Sequence, residues 1–207
     1  MGIPHIIMEA DRIYHIYNSS VGSDKLFKES KNYQYFLRKY FDRITPFSET
    51  LAYSLLPDQF HFILRIKNNK ALTSMWGVKI QKLKKKWNRF PDKETANYLL
   101  INQLIIQEFA GLFNGYVQAF NKMYQRHGTL LRESFRRDLI GSDVELINSI
   151  CDIHNFPVQH GYVKRRDDWK HSSYNNILSL QNPLATTTDV LKLFEGKKNF
   201  IFLHDSR

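Results

Sequence analysis

Residues 51–66 read LAYSLL, then Pro57-Asp58, then QFHFILRI. Two apolar runs of strand length, rich in aromatic and β-branched residues, flank a dipeptide suited to a tight turn. A chain that forms this hairpin is committed to an antiparallel sheet. RIYHIY at 12–17 is a further strand, and Tyr33, Phe36, Leu37, Tyr40, Phe41 and Ile44 recur at helical spacing before Pro46. Helical pattern then runs from Ala71 to about Tyr124, with a break expected at Arg89-Phe90-Pro91-Asp92. TLLRESFRRDLI (129–140) reads as strand or extended chain, and Ser142 or Asp143 caps a helix through VELINSICDIHNF, with Pro157 and Gly161 marking its end or an interruption. The tail holds a short helix at Asp189–Phe194 and an aromatic segment, NFIFLH. Strands that pair early, followed by helices separated by extended pieces, predict an α+β fold rather than alternating βαβ units. With no repeat and no Pro/Gly/Ser-rich linker, residues 1–207 are expected to form a single domain.

Of the 207 residues, 43% are hydrophobic and 14% aromatic, enough to bury a real core and exclude wholesale disorder. No apolar run approaches the ~20 residues of a membrane-spanning helix, so no membrane partner is expected. The opening MGIPHIIMEADR reaches acid and base too soon for a signal peptide. One cysteine, Cys151, excludes an internal disulfide and a multi-cysteine zinc site, and fits a reducing, cytoplasmic setting.

The net charge of +10 points to a polyanionic partner, or simply to a solvated basic face. It concentrates in two stretches. KIQKLKKKWNR (79–89) carries Lys79, Lys82, Lys84, Lys85, Lys86 and Arg89 with no acid; Lys82, Lys85, Lys86 and Arg89 form a ridge, while Trp76, Ile80, Leu83 and Trp87 take the other side. NKMYQRHGTLLRESFRR adds Lys122, Arg126, Arg132, Arg136 and Arg137 against Glu133 alone. These cations suit phosphate contact; the tryptophans are read as core.

In QFHFILRI, side chains alternate, so Gln59 and His61 share one face while Phe60 and Phe62 take the other. With its context, this strand resembles that of the IS200-like, REP-associated tyrosine transposases, single-tyrosine HUH nucleases. YHIYNSSVGSDKLF is similar to their first strand and loop, LAYSLLPDQFHFIL to their strand pair, and YVQAFNKMYQRHGTLLRESFRR to their Tyr-x-x-x-hydrophobe-Asn-x-x-Tyr-x-Arg-x-Gly segment. CDIHNFPVQHGYVKRRDDWKHSSYNNIL resembles their His-x-Asn-Pro segment and the Trp-x-x-Ser-Ser-Tyr that follows. The order of the four pieces matches. The resemblance implies a ferredoxin-like antiparallel sheet with packed helices (core about 10–180), a basic helical insertion at about 71–110 and a C-terminal tail at about 181–207. It also implies single-stranded DNA beside an imperfect hairpin as substrate, two histidines and a polar helix residue holding Mg²⁺ or Mn²⁺, and a tyrosine that attacks the phosphodiester.

Carried over position by position, the chemistry is largely replaced. The first metal histidine falls on Gln59 and the second is kept as His61; the tyrosine falls on Asp152 and the third metal ligand on Phe156. A one-residue realignment would place Asn155 at the ligand but puts Cys151 at the nucleophile. Asp152 could instead join His61 and Gln59 on a metal, and Tyr116, Tyr124 or Tyr162 could offer a hydroxyl.

Two readings follow: a transposase derivative that binds hairpin or single-stranded DNA without cutting it, needing no cofactor, or an active transposase with a rearranged Mg²⁺ or Mn²⁺ site. A remnant with a protein-directed role is a third. The sequence leaves monomer and homodimer open.

Overall fold

The structure, a computed structural model, describes residues 7–86, 92–132, 135–180 and 186–206. Trp87, Arg89 and most of the expected 89–92 break lie outside the described residues, except Asp92, which caps the helix after it: its carboxylate accepts from the Glu94 and Thr95 amides at 2.9 and 2.8 Å.

Strand β1 (Ile13–Ser19) leads through helix α1 (Ser30–Ile44) into the hairpin β2 (Ser48–Leu56) and β3 (Gln59–Ile66). Helices α2 (Asn69–Lys86) and α3 (Lys93–Met123) follow, then β4 (Arg136–Ile140), which is shorter than the 129–140 span of the sequence. Leu131 makes only an isolated bridge to Ser20. The sheet order is β2-β3-β1-β4 with every neighbour antiparallel, the βαββαβ ferredoxin-like arrangement. After it come α4 (Asp143–Gln159), α5 (Tyr174–Ser179), α6 (Thr187–Leu193) and α7 (Lys197–Asp205). The expected aromatic segment NFIFLH is thus helical: Phe200 and His204, four apart, both face inward.

Alternation along the strands separates two cores. Tyr14, Ile16, Phe60, Phe62 and Leu64 pack under α1, α2 and α3, whereas Leu51, Ala52 and Ile63 pack under α4 and the tail. α2 lays Leu72, Trp76 and Ile80 into the first core, with Trp76 against Phe47, as expected for a core tryptophan. Ser142 caps α4 by accepting from the Glu145 amide. Pro157 does not end α4 but sits in its last turn, where losing one amide donor costs a single intrahelical bond.

α4 faces two ways. Cys151, His154 and Asn155 are buried on its inner side, and Asp152 and Phe156 are half-exposed on the side turned toward β3. Inside, His204 Nδ1 donates to the Phe200 carbonyl at 2.7 Å, so its Nε2 accepts from His154 Nδ1 at 2.9 Å, and His154 Nε2 accepts from the Ser173 hydroxyl at 2.8 Å. Every ring nitrogen is satisfied with both imidazoles neutral, which ties the tail to α4 and to β2.

Arg166 clamps the same region. It donates to Asn155 Oδ1 at 2.7 Å and to the His204 carbonyl at 2.6 Å, pairs with Asp205, and lies over the Tyr174 ring at 5.7 Å. Asn155 Nδ2 is buried with no partner among the described residues, where Arg166 supplies the amide's one side-chain bond. Arg166→Ala is expected to lower stability by about 2–4 kcal/mol, measured by urea denaturation. A change under about 0.5 kcal/mol would show that the tail is held by packing alone.

Candidate nucleic-acid interface and degenerate active site

Gln59 and His61 project from β3 toward α4, as alternation requires, and β1 adds two residues to that face. Tyr17 lies directly opposite His61 in register, with ring centroids 5.6 Å apart, and His15 stacks on Tyr17 at 4.7 Å. Phe156 of α4 meets the His61 ring edge-on at 4.7 Å.

The hydrogen bonds run in one direction. His61 Nε2 donates to Gln59 Oε1 at 3.2 Å, because an amide oxygen can only accept. His61 Nδ1 therefore holds the lone pair and accepts from His15 Nε2 at 3.0 Å. Gln59 Nε2 donates onward to His160 Nε2 at 3.2 Å. Both nitrogens of His61 are thus engaged within the protein.

Burial keeps His61 and His15 neutral. His61 is pushed down to about 3, first by burial and then by repulsion from His15 and His160. His15 is pushed down to about 4 by burial, against the opposing pull of Asp138 and Asp152. Burial raises the Tyr17 hydroxyl, with Arg136 pulling it down and Asp138 pushing it up.

Asp152 is half-exposed, close enough to His15 to act on its charge. The realigned pair is placed differently. Cys151 is fully buried beside His204 at 3.6 Å, and Asn155 is held by Arg166. The hydroxyl candidates are dispersed: buried Tyr116 donates to the Leu26 carbonyl, Tyr124 to Glu29 and Asn32, and only Tyr162 stands near the site, 6.3 Å from His160 and bonded to Asp58. Of the positions matched to the family's metal ligands, His61 has both ring nitrogens engaged within the protein and Gln59 offers only a neutral amide oxygen, a weaker ligand than imidazole or carboxylate. Phe156 offers no donor atom, and among the described residues no group of three or more His, Cys, Asp or Glu is arranged to hold a metal ion.

Lys79, Lys82, Lys85 and Lys86 are exposed on α2, with Lys84 half-exposed, and Lys122 is exposed near the end of α3. Arg132 is exposed. On β4, Arg136 pairs with Tyr17 and shares its face, whereas Arg137 falls on the α3 face over the Phe135 ring at 5.2 Å. Arg126 differs from the expectation of phosphate contact. Its guanidinium is spent internally on Asp24 at 2.5 Å and on the Gly128 and Thr129 carbonyls at 3.2 and 2.7 Å, which fixes the turn after α3.

His15, Tyr17 and His160 were missed by sequence reasoning. The signal for the first two was present in the period-two alternation of RIYHIY, but it becomes informative only once β1 is known to pair with β3.

No protein-family model matches the chain. A curated protein of Haemophilus influenzae, named provisionally as a REP-associated tyrosine transposase, is 29% identical over 127 residues, covering 61% of this chain and 59% of that protein. The match thus spans less than two thirds of the relative's length. A solved REP-associated tyrosine transposase bound to a REP hairpin shares the fold, with a TM-score of 0.55 at 14% identity, covering 89% of this chain and 90% of that one. In sequence and in fold, the chain is similar to the REP-associated tyrosine transposases. The ferredoxin-like antiparallel sheet expected from the resemblance is observed, with four strands. Among the described residues no helix is long and apolar enough to cross a membrane.

Proposed function

We propose that this protein binds hairpin or single-stranded DNA and does not cleave it. The observation that carries the reading is the closure of the site around His61: Gln59 and His15 take its two nitrogens, and Phe156 stands where the related transposases are expected to place a third ligand. With Asp152 at the tyrosine position, neither a metal nor the family's nucleophile is provided for. The exposed lysines of α2, with Arg132 and Arg136, remain available for phosphates.

Gel-shift titration against hairpin, single-stranded and duplex DNA tests the binding. Hairpin or single-stranded DNA is expected to bind best. With roughly four phosphates contacted, affinity should fall on the order of a hundredfold between about 50 and 200 mM salt. Lys82→Glu with Lys85→Glu should weaken binding at least tenfold, and no binding at low salt would refute the reading.

An active enzyme with a rearranged site has one observation in its favour. Tyr17 places a hydroxyl on the His61 face, with Arg136 its register partner on β4. A covalent protein–DNA adduct that disappears in Tyr17→Phe would establish that reading instead.

A further inference from the structure

A cleft of about 570 Å³ lies between the last turn of α4, the 164–167 segment, α5 and α7. Its volume falls within the range of small-ligand sites. Val158, Leu178 and Ile201, one from each of the three helices, give it an aliphatic wall. Among the described residues its charges are three cations, Lys164, Arg165 and Arg166, against two carboxylates, Asp167 and Asp205. Both carboxylates are already matched. Arg165 holds Asp167 at two points, 2.9 and 2.7 Å, and Arg166 pairs with Asp205. Lys164 has no partner among the described residues, so one positive charge is left over.

A monoanion with a short hydrocarbon body answers both features: its charge meets the leftover cation and its chain covers the wall. Inorganic phosphate would leave the wall unused and bring a second negative charge toward Asp167 and Asp205. A neutral apolar molecule would leave the Lys164 ammonium unmatched. We propose that this cleft binds a small aliphatic carboxylate, with Lys164 anchoring the charge and Val158, Leu178 and Ile201 around the chain. Arg166, which also lines the cleft, already ties α4 to α7 through Asn155 and the His204 carbonyl. An occupant touching both helices therefore stabilises the docked tail by mass action. None of the α2 lysines and none of the residues around His61 lines the cleft, so the proposal is independent of the DNA-binding reading.

Hexanoate is the probe, titrated against the full chain by calorimetry. A dissociation constant of about a millimolar is expected for so small a ligand. At roughly ten times that concentration the melting temperature should rise by about 3 °C. Hexanamide, which lacks the charge, and acetate, which lacks the chain, should each bind at least about tenfold more weakly. Lys164→Gln should weaken hexanoate binding by about the same factor, and since Lys164 is exposed the variant should fold. Lys198→Gln, which removes the same charge from α7 outside the cleft, should leave binding unchanged. No heat and no melting shift up to about 20 mM hexanoate overturns the proposal. So does equal binding of hexanoate and hexanamide, equal binding of hexanoate and inorganic phosphate, or equal loss in the two lysine variants. Acetyl-glycyl-leucine binding about tenfold more tightly than hexanoate would assign the carboxylate to a protein C-terminus and overturn the free acid.

Discussion

Restoring three side chains together, Gln59→His, Asp152→Tyr and Phe156→Asn, is expected to yield a protein that forms a covalent adduct with a hairpin oligonucleotide in Mn²⁺ or Mg²⁺, where the unaltered protein is expected to form none. Each change has a separate geometric effect. Histidine at 59 shares a face with His61 and removes the amide that now ties His61 to His160. Asparagine at 156 replaces a phenyl edge 4.7 Å from the His61 ring with a group that can donate and accept. Tyrosine at 152 stands one turn before position 156 on the same side of α4. The adduct should appear as a slower band on a denaturing gel, vanish with EDTA, and be absent from every combination lacking the tyrosine. Adduct formation by the unaltered protein would refute the binding-only reading. A triple variant that folds and binds DNA yet stays inert would locate the block elsewhere, first in the His15 and Tyr17 rings packed against His61.

Stability is expected to fall by about 4 kcal/mol between about pH 7.5 and 5.5. His61 and His15 are held down to about 3 and 4, and His154 lies well below its ordinary value, in each case chiefly through burial. A histidine whose folded-state value is depressed favours folding while the unfolded chain also keeps it neutral. Below about 6.5 the unfolded chain gains a proton that the folded one refuses, and each such group then costs about 1.4 kcal/mol per pH unit. The contribution is therefore complete above neutrality and shrinks as pH falls through the unfolded value. Urea unfolding at the two pH values should show a midpoint shift of roughly 2 M. His61→Gln should flatten the profile by about a third, while Lys82→Glu should not change it. A pH-independent midpoint would mean that the rings can take up protons in place.

The main features of the fold were legible because its elements are locally encoded. The 51–66 hairpin announced itself by two apolar runs and a turn, and α1 by its spacing, and both occur as expected. The limits of β4 were not legible, since the apolar residues at 129–131 look like strand but are held by loop contacts to Ser20 and Val21. The face-sharing of Gln59 and His61 came from sequence alternation alone. The partners of His61 did not, because His15 is forty-six residues away and reaches it only through the β1–β3 register. Arg126 looked like its basic neighbours for the same reason: its carboxylate partner, Asp24, is over a hundred residues distant.

The two-sidedness of α4 has an evolutionary consequence. The residues that hold the helix in place (Cys151, His154, Asn155) and the positions matched to the chemistry (Asp152, Phe156) interleave in sequence but are buried to different degrees, and Phe156 both packs against the inner cluster and meets the His61 ring. Substitution at Asp152 therefore leaves the buried hydrogen bonds of His154 and Asn155 in place. A lineage could have lost cutting one residue at a time while each intermediate still folded, and selection could keep the scaffold for binding long after it stopped acting on catalysis.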